Sequence, residues 1–248
     1  MGTDVGFWDG LWNFMTGWLN LGDRLSGILK GALERMVTEG LPNTLLLTVI
    51  SFSIALVIAT LIAFVQYANI PVLRQISRVY IWIIRGTPLL VQLVVIFYAL
   101  PAVGIKLDAF TSAVIAFSLN EGAYGAETMR AAIESVPAGQ MEAGLCIGMS
   151  RVRTMMRIVL PQALRTATPN LFNSLIAMVK DTSLVATISV MDIFMIAKQI
   201  GGRYYEYLAV YLLVALVYLV VCTVLTLLQR LVERLLNRRV GREVKAVA

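Results

Sequence analysis

Five mainly apolar stretches alternate with polar connections along the chain. They cover residues 43–66, 88–103, 109–132, 169–190 and 207–228. A helix needs about 20 apolar residues to cross the hydrocarbon core of a bilayer. The second stretch reaches that length only if residues before Pro88 contribute. The pattern predicts an all-α integral membrane protein with about five transmembrane helices.

The first 40 residues carry a different, amphipathic pattern. Two apolar stripes recur there at helical spacing: Trp8, Trp12, Met15 and Leu19, then Leu25, Ile28, Leu29, Ala32 and Met36. Such helices can lie in the membrane interface with tryptophans at headgroup level, or they can pack as an arm against the spans. We predict an amphipathic interfacial arm at 1–40, a transmembrane domain at 41–230 and a basic cytoplasmic tail at 231–248.

The composition is typical of a membrane protein, and it argues against several classes of enzyme as the function of this chain. Of the 248 residues, 58% are apolar and 15% are charged, whereas soluble proteins average about 45–50% and 25%. The chain has no histidine and no Gly-Lys pair, which excludes histidine catalysis and the usual phosphate-binding loop. Its two cysteines, Cys146 and Cys222, make a disulfide framework or a zinc site implausible. We therefore expect that the chain is not an enzyme.

The positive charge predicts the orientation of the chain. Lysine and arginine are concentrated in cytoplasmic loops of membrane proteins. Placing the C-terminus inside puts 14 of the 21 such residues in the cytoplasm, with the N-terminus outside. The net charge of +6 is thus explained by topology. A nucleic-acid partner is not expected, because no basic face with interleaved aromatic residues occurs.

The connection at 134–161 is too polar to cross the membrane and too long for a simple turn. Pro137 can open a short helix that Gly148 can end in a left-handed conformation. An apolar strip then lies along this helix, made of Met141, Leu145, Cys146 and Met149. Such a strip suits docking of a cytoplasmic partner, although a loop helix packed on its own spans has the same spacing.

This segment also carries a recognisable motif: Glu142, Ala143, Gly144, Gly148, Ile158, Leu160 and Pro161. In that register the chain resembles the permease subunits of bacterial ATP-binding-cassette (ABC) importers of the polar amino acid branch. Gly144 stands where the family has a second alanine, and glycine weakens a helix by about 1 kcal/mol. Residues 85–89, 123–127, 139–140 and 180–183 also match. Residues 104–108, 123–132 and 208–237 look closest to cystine permeases.

The resemblance implies a type I ABC importer permease fold with a cytoplasmic coupling helix at about 137–148, in a bacterial inner membrane. The implied ATPase-coupling residues are Gln140, Met141, Glu142, Ala143, Gly144 and Gly148. The implied partners are two cytoplasmic ATP-binding subunits, a second permease subunit, a periplasmic or lipid-anchored amino acid-binding protein, and membrane lipid. The chain itself would bind no cofactor, because ATP would be hydrolysed by the partner ATPase.

Charged residues inside a span indicate where a substrate could bind. A charge at mid-bilayer costs about 2.5–3.5 kcal/mol on insertion scales and usually faces a partner or a wet cavity. A zwitterionic amino acid needs an acceptor for its ammonium and donors for its carboxylate. The candidate substrate residues are Asp181, Lys180, Glu121, Asn120, Tyr124, Thr182 and Ser183. Alternatively, Lys180 pairs with a glutamate of the third span, and Glu127 pairs with Arg130 or Arg165.

We therefore predict an amino acid importer, with cystine or a cationic or amide amino acid as substrate. An ion-coupled secondary transporter, with Asp181 and Glu121 as proton or sodium relays, is the main alternative. It should show internal inverted repeats, and no second copy of the 142–161 or 180–183 pattern occurs. A membrane scaffold would have little need of mid-span charges.

Overall fold

The computed structural model describes the backbone of residues 22–68 and 70–247 and the side chains of residues 22–67 and 70–235. This part of the chain is helical and contains no strand. Its α-helices are α1 (Asp23–Arg35), α2 (Leu41–Ala68), α3 (Pro71–Arg85), α4 (Leu89–Val94), α5 (Ala109–Glu134), α6 (Ala138–Cys146), α7 (Arg151–Thr154), α8 (Leu160–Asp181), α9 (Ile193–Tyr204) and α10 (Tyr207–Val247). Short π or 3-10 segments continue several of them: Met36–Gly40, Val95–Ala99, Leu100–Val103, Met155–Val159 and Thr182–Ile188.

Three continuous helices in the described residues are long and apolar enough to cross a membrane: Asp23–Tyr67, Arg151–Ile188 and Tyr207–Leu235. The pair Pro71–Arg85 and Leu89–Val103, bent by 101°, makes a fourth if it counts as one span. The third predicted span, α5, is not among them because it is less apolar. Its 26 residues extend about 39 Å, which is long enough to cross a bilayer. It packs against α2, α3, α4 and α8. Its polar side chains can therefore be sheltered from lipid by protein.

Two helices begin earlier in the chain than the apolar stretches that predicted them. The first helix begins at Asp23 rather than at residue 43, because the π-turn Met36–Gly40 joins α1 to α2 without a break. The fourth begins at Arg151 rather than at 169, and Pro169 lies inside the helix. Residues before it form a buried stripe against the end of α5: Met155, Val159, Ala163 and Ala167. Tertiary packing thus stabilises a segment that looked too polar to belong to the span.

The described part of the N-terminal arm packs against the helices. Leu29, Ala32, Leu33 and Met36 share one core cluster with residues of α9 and α10. This agrees with the packing alternative for the second amphipathic stripe, and the boundary predicted at residue 40 lies within a continuous helix. The first stripe, from Trp8 to Leu19, lies outside the described residues.

Close contact between α2 and α5 sets the centre of the bundle. A β-carbon on Gly122 would lie 2.8 Å from Ile58 Cγ2, and one on Gly125 would lie 2.9 Å from Ala59 Cβ. In the same contact, Ser118 Oγ donates a hydrogen bond of 3.2 Å to the carbonyl of Ser51. Small residues of α5 thus line this contact, and they bring the two backbones close together.

A short segment before α9, at residues 189–192, connects α2 with α10. Asp192 caps α9 by accepting a hydrogen bond of 2.7 Å from the amide of Met195, and its other oxygen accepts one of 3.2 Å from the Tyr218 hydroxyl. Asn43 Nδ2 donates to the carbonyl of Met191 at 2.7 Å. The buried carboxylate of Asp192 thus joins this segment to α10, while Asn43 joins it to the start of α2.

Replacing Asp192 with Ala should lower the free energy of unfolding by about 2 kcal/mol, because the helix cap is lost and Tyr218 loses a buried acceptor. Thermal unfolding of the purified chain in detergent measures the change. The matched control is Asp108→Ala. Asp108 caps α5 through the amide of Thr111 at 3.1 Å, but it is not part of a tie between helices, so about 1 kcal/mol or less is expected. Equal losses in the two variants would contradict a tie through Asp192.

Candidate functional site

A cavity of about 470 Å³ opens between α4, α5 and α8. Four of the seven predicted substrate residues line it: Asp181, Asn120, Glu121 and Tyr124. The rest of the lining comprises Thr87, Pro88, Leu89, Leu90, Ser174, Ala177 and Leu184. The fold therefore brings polar residues of the third and fourth predicted spans together in one open cavity, with the residues that follow the bend before α4.

The other three predicted residues do not line this cavity. Lys180 is exposed, and in the described part of the chain no carboxylate lies within 4.0 Å of its ammonium. Thr182 is buried, and its hydroxyl donates to the carbonyl of Val179 at 2.7 Å. Ser183 is half-buried. The proposed pair between Lys180 and a glutamate of the third span is thus not formed here.

The charged side chains in the described lining of this cavity are all acidic. Its described lining contains two carboxylates, Glu121 and Asp181, and no basic side chain. Glu121 Oε1 is buried and has no hydrogen-bond partner among the described residues. An unpaired carboxylate away from water is costly unless a cation or a donor meets it. The cavity is therefore suited to a ligand with a positively charged group.

Gln92 connects the bend between α3 and α4 to the cavity wall. Its Nε2 donates to the carbonyl of Ile84 and to Thr87 Oγ1, both at 2.8 Å, while its Oε1 accepts from Asn120 Nδ2 at 3.1 Å. The Gln92 side chain thus joins the two sides of the bend and fixes the side chain of Asn120.

A second cavity, of about 490 Å³, shares Tyr124 and Ser174 with the first. Arg85 lines the second cavity, and its guanidinium carbon lies 5.2 Å from the centre of the Tyr124 ring. Arg85 also lies 3.8 Å from Glu127, which Arg130 holds at 3.0 Å. The predicted pairing of Glu127 with Arg130 is confirmed. Sequence reasoning treated Arg85 as a topology charge and missed its place at this site.

The predicted short helix in the polar connection is present as α6. Pro137 precedes it, and Gly148 follows it with a φ of +81°, the left-handed end that the sequence indicated. Gln140, Glu142 and Ala143 are exposed. Of the remaining candidate coupling residues, Met141 is half-buried and Gly144 is buried. The helix thus exposes one side, and its chain neighbours are α5 and α7, which leads into α8.

Gly144 allows α6 to pack on α7. A β-carbon there would lie 2.7 Å from Thr154 Oγ1 and would overlap Thr154 Cγ2. The helix continues through Gly144 without interruption. The expectation of a locally softer helix therefore misses the main role of this glycine, which is to provide space for the Thr154 side chain.

The family model described as "Binding-protein-dependent transport system inner membrane component" matches residues 55–238. The matched range contains both cavities and α6. The chain belongs to this family. Membership confirms the resemblance noted from the motif around Glu142 and identifies the chain as an inner-membrane permease component of an ABC importer.

Individual relatives narrow this to amino acid transport. The L-cystine transport system permease protein TcyB of Bacillus subtilis (strain 168) is 48% identical over 168 residues, which cover 68% of this chain and 72% of the relative. A crystal structure of an amino acid ABC transporter with histidines matches at 35% identity and a TM-score of 0.76, over 82% of this chain and 94% of that chain. The MetNI methionine ABC transporter, in inward-facing conformations, matches at 19% identity and a TM-score of 0.69 over 81% and 96%, which shows the shared fold alone.

Replacing Gly144 with Ala should lower the free energy of unfolding by about 1–3 kcal/mol, because the added methyl overlaps Thr154. Adding Thr154→Ala should recover most of the loss. The matched control is Gly139→Ala in the same helix, where a β-carbon meets nothing within 4 Å and alanine should be neutral or stabilising. Thermal unfolding in detergent measures all three. Equal changes in stability for Gly139→Ala and Gly144→Ala would show that helix propensity, rather than the contact with Thr154, determines the effect.

Proposed function

We propose that the chain translocates a polar amino acid across the inner membrane by alternating access, driven by ATP hydrolysis on a separate subunit. The observation that carries the proposal is the 470 Å³ cavity in which Glu121 and Asp181 lie together without a basic residue in the described lining. The names of relatives support the class of substrate, because they include permeases for L-cystine and for glutamine. Cystine and the cationic and amide amino acids are the candidates that we would test.

In this proposal the two carboxylates hold the ammonium group of the substrate. Glu121 Oε1 has an unused acceptor position, and charge-assisted hydrogen bonds are about twice as strong as neutral ones. Asn120 and Tyr124 provide donors for the substrate carboxylate from the same wall. The proposal rests on these four residues, since Lys180, Thr182 and Ser183 do not line the cavity.

Coupling to ATP would proceed through α6. This helix is joined to α5 on one side and through α7 to α8 on the other, and α5 and α8 provide most of the polar cavity wall. A movement of α6 therefore pulls on both walls together. We propose that Gln140, Met141, Glu142 and Ala143 contact one of two cytoplasmic ATP-binding subunits, with Gly144 and Gly148 setting the shape of the helix.

The remaining parts of the assembly follow the same proposal. The N-terminus is outside and the C-terminus is cytoplasmic, which places α6 on the cytoplasmic side. A second permease subunit, identical or closely related, completes the membrane pathway, and a periplasmic or lipid-anchored binding protein delivers the amino acid. No cofactor is bound by this chain.

Uptake into proteoliposomes tests the proposal and its main alternative. The liposomes carry this chain with its ATP-binding subunit and binding protein, and labelled cystine, arginine, glutamine and glutamate are compared. We expect that one of them accumulates only when ATP is supplied on the side of the ATP-binding subunits. Accumulation without ATP, driven by a proton or sodium gradient, would instead establish a secondary transporter.

Substitutions in the cavity test the site separately from the mechanism. Asp181→Asn should abolish uptake, and Glu121→Gln should raise the KM about ten- to a hundredfold, because each removes a charged acceptor for the ammonium. The matched control is Asp108→Asn, which changes an exposed carboxylate outside the cavity and should leave uptake unchanged. Assembly is checked by co-purification of the ATP-binding subunit. Normal uptake by Asp181→Asn would refute the assignment of this residue.

A further inference from the structure

The 470 Å³ cavity lacks a charged partner for one group of an amino acid substrate. On the proposed function that substrate carries an α-carboxylate, which needs donors wherever water is displaced. The described lining contains Glu121 and Asp181 but no basic side chain. Asn120 and Tyr124 provide neutral donors there, and the amide of Asn120 already donates to Gln92 at 3.1 Å. A positive group for the carboxylate must therefore come from outside this lining.

The 490 Å³ cavity adjoins the first and contains such a group. Tyr124 and Ser174 line both cavities, while Arg85 and Asn170 line only the second. Glu121 lies three residues before Tyr124 on α5, and side chains at that spacing are neighbours, with Cβ atoms about 5–6 Å apart. Arg85 lies over the ring of the same tyrosine, at 5.2 Å. An acidic surface and a guanidinium thus meet at Tyr124.

The guanidinium of Arg85 is held loosely. Its ion pair with Glu127 is 3.8 Å long, which exceeds a hydrogen bond. Both oxygens of Glu127 accept from Arg130, at 3.4 Å and 3.0 Å. Arg85 forms no hydrogen bond with the described residues, and 43% of its side chain is exposed. Its N–H groups are therefore available to a ligand in the cavity.

The backbone that carries Arg85 is fixed, in contrast to its side chain. Arg85 is the last residue of α3. Gln92 holds the bend after it by donating to the carbonyl of Ile84 at 2.8 Å, and Tyr80 fastens α3 to α5 by donating to the carbonyl of Leu119 at 2.6 Å. A charged group on a fixed base loses little freedom when a ligand binds.

We propose that Arg85 binds the α-carboxylate of the translocated amino acid while Glu121 and Asp181 hold its ammonium group. The two cavities then form one site that is continuous at Tyr124. The planar fork of a guanidinium matches a carboxylate through two parallel hydrogen bonds. Such a site recognises both charged groups of an α-amino acid, and it discriminates against compounds that lack the carboxylate.

Binding to the purified complex of this chain with its ATP-binding subunits, in nanodiscs, tests the role of Arg85. The binding protein is omitted because it selects substrates by itself. The probe is the labelled amino acid that the uptake screen selects, displaced by the same amino acid or by its α-carboxamide. The natural chain should prefer the acid about 10- to 100-fold. Arg85→Gln should reduce this ratio to about threefold or less, and Arg85→Lys should fall between, because lysine keeps the charge without the fork.

Two control variants separate this role from a structural one. Arg78→Gln removes the same charge from the same helix outside both cavities and should keep the ratio. Glu127→Gln removes the ionic partner of Arg85, so the ratio should stay equal or rise. If Arg85 only held α3 against α5, Glu127→Gln would lower the ratio as Arg85→Gln does, and the proposal would be wrong.

Co-purification of the ATP-binding subunit checks assembly, and Arg85→Lys decides the question if Arg85→Gln does not assemble. An unchanged ratio in the assembled Arg85 variant, with uptake by the natural assembly still dependent on ATP and lost in Asp181→Asn, would overturn the role of Arg85 and leave the proposed function intact.

Discussion

The close approach of α2 and α5 is the constraint on which the rest of the structure depends. Gly122 and Gly125 allow it, because a side chain at either position would meet Ile58 or Ala59. Once α5 lies at the centre, its polar face is turned to other helices and to cavities. Carboxylates such as Glu121 then become tolerable in a membrane protein, since exposure to lipid would cost several kcal/mol.

Chain connectivity joins the candidate coupling helix to this packed centre. The helices that provide the polar wall of the first cavity, α5 and α8, are the same ones that α6 and α7 connect. Gly144 and Thr154 hold α6 and α7 in direct contact, so a force on α6 acts on a rigid corner rather than on a loose loop. The coupling proposed for α6 would use this contact, because coupling between distant sites travels through packed side chains and rigid elements.

Much of this could be predicted from local patterns, and the failures have a common cause. The centres of the apolar stretches, the turn at Gly148 and the pair Glu127–Arg130 depend on neighbours within a few residues, so spacing reveals them. The start of the fourth span depends on Met155 and Val159 packing against α5. Nothing local shows that partner, and Pro169 looks like a helix start even though it lies within the helix.

The candidate site likewise has features that local sequence predicts and others that depend on tertiary packing. Adjacent residues on a helix point about 100° apart, which predicts that Lys180 and Asp181 face different surroundings, and only Asp181 reaches the cavity. Which of the two would do so depends on the rotation of α8 against α5, a tertiary quantity. Arg85 shows the limit most clearly. A count of positive charges assigns it to topology, yet the 101° bend beside it carries its guanidinium over Tyr124. One arginine can thus count as a topology charge and also contact Tyr124, which lines both the 470 Å³ and the 490 Å³ cavity, and only the second role requires the fold.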